Sequence, residues 1–186
     1  MKTIILVGVP GSGKSSILKE IARKCPTVSI VNYGDEMLKE AQAEGLTRDM
    51  LRKLPIAEQQ EVGIKAAKRI VHGKSGMTLI DTHALIKTPV GFCPGLPKEV
   101  LKILAPKALA WIDCPPEIII HRRKNDASRT RDLESEDELA IHQELSHAYL
   151  AACSMETGSI LCRILNRDPD IESNCRPFIH LIEQLS

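Results

Sequence analysis

Short apolar runs alternate along the chain with longer stretches in which apolar residues recur every three or four positions. Thr3–Val7 is apolar and partly β-branched, which predicts a buried strand. Lys14–Lys24 carries Ile17, Leu18, Ile21 and Ala22 at helical spacing. The pattern then predicts a strand at Val28–Val31, a helix from near Asp35, a helix over Ala57–Val71, and a strand at Met77–Ile80 ending on Asp81. Thr82–Pro97 holds three prolines and two glycines and reads as a long loop, which in a compact domain points to function or disorder. Leu109–Ile112 predicts a fourth strand, and Pro115 and Pro116 stand at the start of a helix running to about Asn125. Ser135 and Glu138 have capping-box spacing before a long helix to about Glu156. Ser159–Leu165 is a fifth strand, and a last helix runs from Ile171 or later to Leu185.

Strands that alternate with helices imply a parallel sheet covered on both faces. At 186 residues the chain fits one domain with a substantial core. A formal net charge of +1 gives no overall field towards nucleic acid or membrane, and 3% aromatics argue against a base-stacking RNA binder. The first apolar run breaks at Gly8 with no cleavage site, so no secretory leader is expected, and no apolar stretch approaches the ~18 residues of a membrane span. The six cysteines are scattered without a CxxC pair, which reads as reduced thiols in a cytoplasmic protein.

The first strand runs into Gly8-Val9-Pro10-Gly11-Ser12-Gly13-Lys14-Ser15, followed by Ser16, which matches GxxxxGK[ST] between a strand and a helix. Glycines let successive N–H groups curl around a phosphate, and the following helix adds the positive end of its dipole. Lys14 supplies a cation for the β- and γ-phosphates, and the Ser15 hydroxyl suits Mg²⁺. Asp81, at the end of the third strand, is a second Mg²⁺ candidate, directly or through water. His83, two residues on, reads as a hydrogen-bonded structural histidine. Arg122, Arg129 and Arg131 lie in a basic cluster, suited to a transferring phosphoryl group because guanidinium stays ionised and bonds two oxygens at once. Interleaved acids, Asp126 and Asp132 among them, argue against a nucleic-acid patch. His142 and His147 stand ~140° apart on a helix and cannot share one ion.

These residues carry a family resemblance. GVPGSGKSS at 8–16, NYGDEM at 32–37, RDMLRKL at 48–54, LIDTHALIKTP at 79–89, GFCPGLP at 91–97 and KNDASRTRD at 124–132 resemble, in order, the archaeal-type adenylate kinases, a branch of the P-loop nucleoside monophosphate kinases. The resemblance covers most of the chain. It implies a P-loop NTPase fold, a three-layer α/β/α sandwich with a five-stranded parallel sheet, in one domain over 1–186. A monophosphate-binding segment would span about 32–72 and a short lid about 124–134. It implies that 8–16 cradle ATP, that Arg52 and Lys87 face the AMP phosphate, and that Tyr33, Gly34 and Met37 form the AMP-side wall. Arg122, Arg129 and Arg131 would close over the phosphates. Lys87 stands where arginine is expected, keeping the charge but losing the two-pronged geometry. The resemblance also implies a homo-oligomer, a trimer. The implied reaction is MgATP + AMP ⇌ MgADP + ADP. Two other readings of the residues stay open: a kinase for small hydroxyl metabolites with Asp35 as base, and a nucleotide-binding assembly factor with slow ATPase activity.

Overall fold

Ile4, Ile5, Leu6 and Val7 are all buried, as a strand must be when helices cover both faces of its sheet. This strand, β1 (Lys2–Val7), is the centre of a five-stranded sheet in the computed structural model, which describes residues 2–73, 76–125, 134–167 and 170–185. The other strands are β2 (Ser29–Asn32), β3 (Met77–Thr82), β6 (Ala108–Asp113) and β7 (Ile160–Leu165). Their order is β2-β3-β1-β6-β7, and every pairing is parallel. The connections leaving β1 and β3 diverge to opposite sides, so a crevice opens at the carboxyl ends of these strands, where open α/β sheets bind ligands.

Alternate residues of the strands feed two cores. On one face Ile4, Leu6 and Leu79 pack with Ile17 and Ile21 of α1 (Lys14–Lys24) and with Phe178 and Ile182 of α8 (Ile171–Leu185). On the other, Ile5, Val7 and Ile80 pack with α4 (Ile56–Gly73), α5 (Lys98–Leu104) and α7 (Glu136–Thr157). These are the three layers of the expected sandwich. Two smaller clusters flank them. Val9, Cys114 and Leu139 enclose Ile119 of α6 (Pro116–Lys124). Ala41 of α2 (Tyr33–Ala43) meets Leu51 of α3 (Arg48–Lys53) and Val62 of α4.

Local chemistry sets the boundaries. Asn32 caps α2 by accepting from Asp35 N at 3.0 Å, and Thr47 caps α3 by accepting from Met50 N at 3.3 Å. Ser135 and Glu138 form the expected reciprocal box at the start of α7, which ends at Gly158 in the left-handed conformation. The stretch 82–97 departs from the expected loop. It forms an antiparallel hairpin, β4 (Leu85–Thr88) with β5 (Gly91–Pro94). Pro89 lies in the turn, Pro94 ends β5 and Pro97 stands at the N-cap of α5, and the strands are too short to show alternation. Two short helices, α3 and α5, also emerge where no strand or helix was read from the pattern.

All six cysteines are free thiols, four of them buried. No helix among the described residues is long and apolar enough to cross a membrane. Phe178 is the largest fully buried side chain. Phe178→Ala should lower the unfolding free energy by about 3–5 kcal/mol through lost burial and a residual cavity. Urea denaturation measures this, and a loss under about 1 kcal/mol would show that α8 can collapse into the gap.

Candidate active site

The loop between β1 and α1 turns at two glycines with positive φ, Gly11 at 92° and Gly13 at 93°. Gly13 is also the N-cap of α1, with no side-chain cap, and the first helical turn carries no acid. The N–H groups of that turn have no intrahelical acceptors, and the helix dipole adds partial positive charge. Backbone in this arrangement is suited to hold an anion. A side chain at Gly13 would collide with Asn166 Nδ2 and approach Arg122 Nη1 to 3.1 Å.

The loop's carbonyls face outward and find donors from later parts of the chain. Arg123 donates twice to Pro10 O, from Nε at 2.9 Å and Nη2 at 2.7 Å. Asn166 Nδ2 donates to Ser12 O at 2.6 Å, and Asn166 Oδ1 accepts from Asn174 Nδ2 at 3.1 Å, which orients the amide. Arg122 Nη1 lies 3.3 Å from the same Ser12 O and 3.4 Å from Cys114 Sγ. Gly8 O accepts from Lys14 Nζ at 3.0 Å and from His83 Nδ1 at 3.1 Å.

Lys14 lies at the crevice between β1 and β3. Its ammonium also reaches Thr82 O at 3.3 Å and Asp81 Oδ1 at 3.5 Å. Burial pushes its pKa below the usual value, with Asp81 pulling the other way. Asp81 Oδ2 accepts from Asn32 Nδ2 at 2.8 Å. Asp81 Oδ1 is buried and accepts no hydrogen bond among the described residues, and Ser12 Oγ is buried without a partner in the same sense. A carboxylate oxygen of this kind suits a hard cation such as Mg²⁺, and the Ser15 hydroxyl is exposed.

His83 is structural, as its sequence context suggests, but it sits inside the site. The bond to Gly8 O places its proton on Nδ1. Lys14 Nζ, 3.4 Å from the same nitrogen, then meets it as a second donor rather than a partner. Burial first, and the Lys14 charge second, push the imidazole down to about 4.

The acceptor-side residues are placed less uniformly. Tyr33 is buried and its hydroxyl donates to Gly63 O at 2.8 Å, so its phenol faces the core instead of a wall. Gly34 is exposed in the first turn of α2, and Met37 is half-buried between two hydrophobic clusters. Arg52 is 70% exposed on α3, with Asp49 at 3.9 Å. Lys87, on β4, is paired with Glu134 at 3.0 Å and Glu138 at 3.2 Å. Asp35 accepts from Arg48 Nη2 at 2.7 Å. Arg129 and Arg131 lie outside the described residues. His142 is buried, with Nε2 3.2 Å from Leu85 O, while His147 stacks obliquely on Trp111 with ring centres 5.2 Å apart.

Arg123, Glu134, Asn32 and Asn166 were not singled out from the sequence. Arg123 follows Ile119 by four residues, so helical spacing already placed it on the buried face of α6. Asn166 directly follows β7, at the carboxyl edge of the sheet.

Residues 7–140 match the family described as AAA domain. The chain is 40% identical over 180 residues to an adenylate kinase of Pyrobaculum aerophilum, covering 95% of this chain and 89% of that one. It is 38% identical over 185 residues to one of Pyrococcus furiosus, covering 97% and 94%. An adenylate kinase of Saccharolobus solfataricus is 39% identical over 183 residues, covering 91% and 93%. Among solved structures, a shikimate kinase from Bacteroides thetaiotaomicron superposes with a TM-score of 0.62 at 17% identity, over 98% of both chains. A gluconokinase from Sinorhizobium meliloti gives 0.57 at 14%, over 99% of this chain and 93% of that one. At such identities these structures establish the fold alone.

The depressed His83 pKa makes stability depend on pH in one direction. Its folded value, about 4, lies below the ordinary 6.5, so its contribution is complete above pH 6.5 and is lost as pH falls towards 4. His83→Asn keeps a donor for Gly8 O but cannot titrate. It should flatten the acid limb of stability against pH by up to about 3 kcal/mol. Denaturation curves collected across that range would show it, and identical acid limbs in the two proteins would remove His83 from the account.

Proposed function

Because the chain belongs to the adenylate kinase family, which moves the terminal phosphoryl group of MgATP to AMP and yields two ADP, we propose how its own residues carry that transfer. The observation that carries the assignment is the backbone anion site with Lys14 and Asp81 at its mouth. Residues 8–16 take the triphosphate. Lys14 leaves its carbonyl partners to bond the β- and γ-oxygens, a short displacement for a flexible side chain. Its partial burial keeps competing water away and strengthens each charge interaction. Arg122, already at Ser12 O, adds charge on the donor side. Arg129 and Arg131 complete that role in our reading.

The nucleophile is an oxygen of the AMP phosphate. Its second pKa is about 6, so it is already anionic at neutral pH and needs no base. The task is to hold two polyanions in line and to stabilise charge as it moves. Arg52 and Lys87 are assigned to the acceptor phosphate, and the segment about 32–72 to the monophosphate side, with Gly34 and Met37 forming its wall. The small separate core of α2, α3 and α4 supports treating that segment as a unit. The segment about 124–134 is assigned as the short lid. Ser15 and Asp81 would hold Mg²⁺, and Asp81 Oδ1, which is ion-paired with Lys14 but accepts no hydrogen bond among the described residues, supports that fit. Held there, Mg²⁺ would supply positive charge against the triphosphate as negative charge develops on it. A homo-oligomer, a trimer, is the assembly we assign.

The test is ADP formation from MgATP with AMP, CMP, UMP or GMP supplied separately. Formation should require the monophosphate and run fastest with AMP. Hydrolysis at a comparable rate without any acceptor would sink the reading. Lys14→Ala should lower kcat by about 10²-fold or more while the unfolding transition stays in place. Near-normal turnover in that variant would remove Lys14 from its role.

A further inference from the structure

The phosphate loop and the β4–β5 hairpin are joined by an unbroken chain of charged side chains. At one end Arg123 holds Pro10 O with two nitrogens, and its side chain is only 4% exposed. Its third nitrogen, Nη1, donates to Glu134 Oε2 at 2.7 Å. The other oxygen of the same carboxylate, Oε1, accepts from Lys87 Nζ at 3.0 Å. Lys87 also donates to Glu138 Oε1 at 3.2 Å. Glu138 Oε2 is engaged at the helix start, accepting from Ser135 N at 3.0 Å. Two cations and two anions thus balance, and one carboxylate, that of Glu134, is shared by the donor loop and the hairpin lysine.

We propose that Glu134 and Glu138 are positioning residues of the acceptor site: they hold Lys87 in competition with the acceptor phosphate, and Glu134 couples the release of Lys87 to the grip of Arg123 on the phosphate loop. The proposal rests on the reading that Lys87 serves the acceptor phosphate. The electrostatics give it a direction. While Lys87 is held, the Glu134 charge is divided between two cations. Once a phosphate draws Lys87 away, the whole charge faces Arg123, and the clamp on Pro10 O tightens. Filling the acceptor site therefore stiffens the donor site, and by linkage the reverse holds. Both carboxylates are ionised at neutral pH. Burial works to raise Glu134, yet hydrogen bonds from Arg123 and Lys87 leave it below the usual carboxylate range. The Ser135 N–H and then Lys87 do the same for the exposed Glu138.

The test uses initial rates of the full chain with AMP and MgATP varied independently. Glu138→Gln removes one competitor while glutamine can still close the capping box. It should lower KM for AMP by about 2–5-fold and leave KM for ATP within about twofold, the range expected for an exposed ion pair. Glu134→Gln should move the two constants in opposite directions, with KM for AMP down and KM for ATP up. A purely structural role would raise both. Lys87→Ala is the control for the underlying reading, and it should raise KM for AMP. If it does, but Glu138→Gln leaves KM for AMP unchanged or higher, the proposal is overturned while the acceptor assignment stands. If Lys87→Ala leaves KM for AMP unaltered, Lys87 does not meet the acceptor phosphate and the proposal falls with that assignment. The kinase reading itself survives either result as long as ADP formation requires AMP.

Discussion

A loop can point its amides at an anion only if its carbonyls point away and are satisfied there. That constraint governs this structure. Pro10 O, Ser12 O and Gly8 O each take two donors, from α6, from the residue after β7, and from Lys14 and the end of β3. For the buried Ser12, leaving the carbonyl unpaired costs about 1–3 kcal/mol. The donors therefore do more than stabilise the fold. They fix the shape of the loop before any phosphate arrives, so little reorganisation is left for the moment of transfer. The glycines make the shape possible, and side chains remote in sequence make it the preferred one.

The same logic explains how a cation-rich site sits in a chain whose net charge is only +1. Among the described residues of the site, these three cations stand against acids: Lys14 against Asp81, Arg123 against Glu134, Lys87 against Glu134 and Glu138. Arg123 is buried, and an arginine there without Glu134 would be an uncompensated charge, a strongly destabilising arrangement. His83 follows suit by remaining neutral beside Lys14. These three cations thus hold their charge in paired form, and under the proposed function Lys14 and Lys87 would be re-paired with phosphate oxygens.

Much of the architecture was legible because parallel strands covered on both faces read as short apolar runs. The Ser135–Glu138 box fixed the start of α7 for a similar reason, since its two partners lie three residues apart in sequence. The hairpin at 85–94 was hidden because its strands are four residues long and its prolines signal a loop. Within the site, the phosphate loop was legible because its function is written in contiguous residues. Arg123, Glu134 and Asn166 were not, because their roles come from partners 113, 11 and 154 residues away. The basic cluster drew attention to Arg122 and its neighbours by charge alone, while helical phase decides which of two adjacent arginines is buried.

Fold likeness does not choose the acceptor. The sandwich found here is shared with a shikimate kinase and a gluconokinase at 14–17% identity, so the layers and the phosphate loop are common property. What distinguishes sites on such a scaffold is the chemistry the acceptor demands. A hydroxyl needs a group that will take its proton, whereas a phosphate needs cations that will tolerate its charge. In this chain Asp35 accepts from Arg48, and the residue proposed to meet the acceptor is a lysine, Lys87. The proposed arrangement would relocate charge between oxygens of two phosphates, and that is the demand that the family's reaction makes.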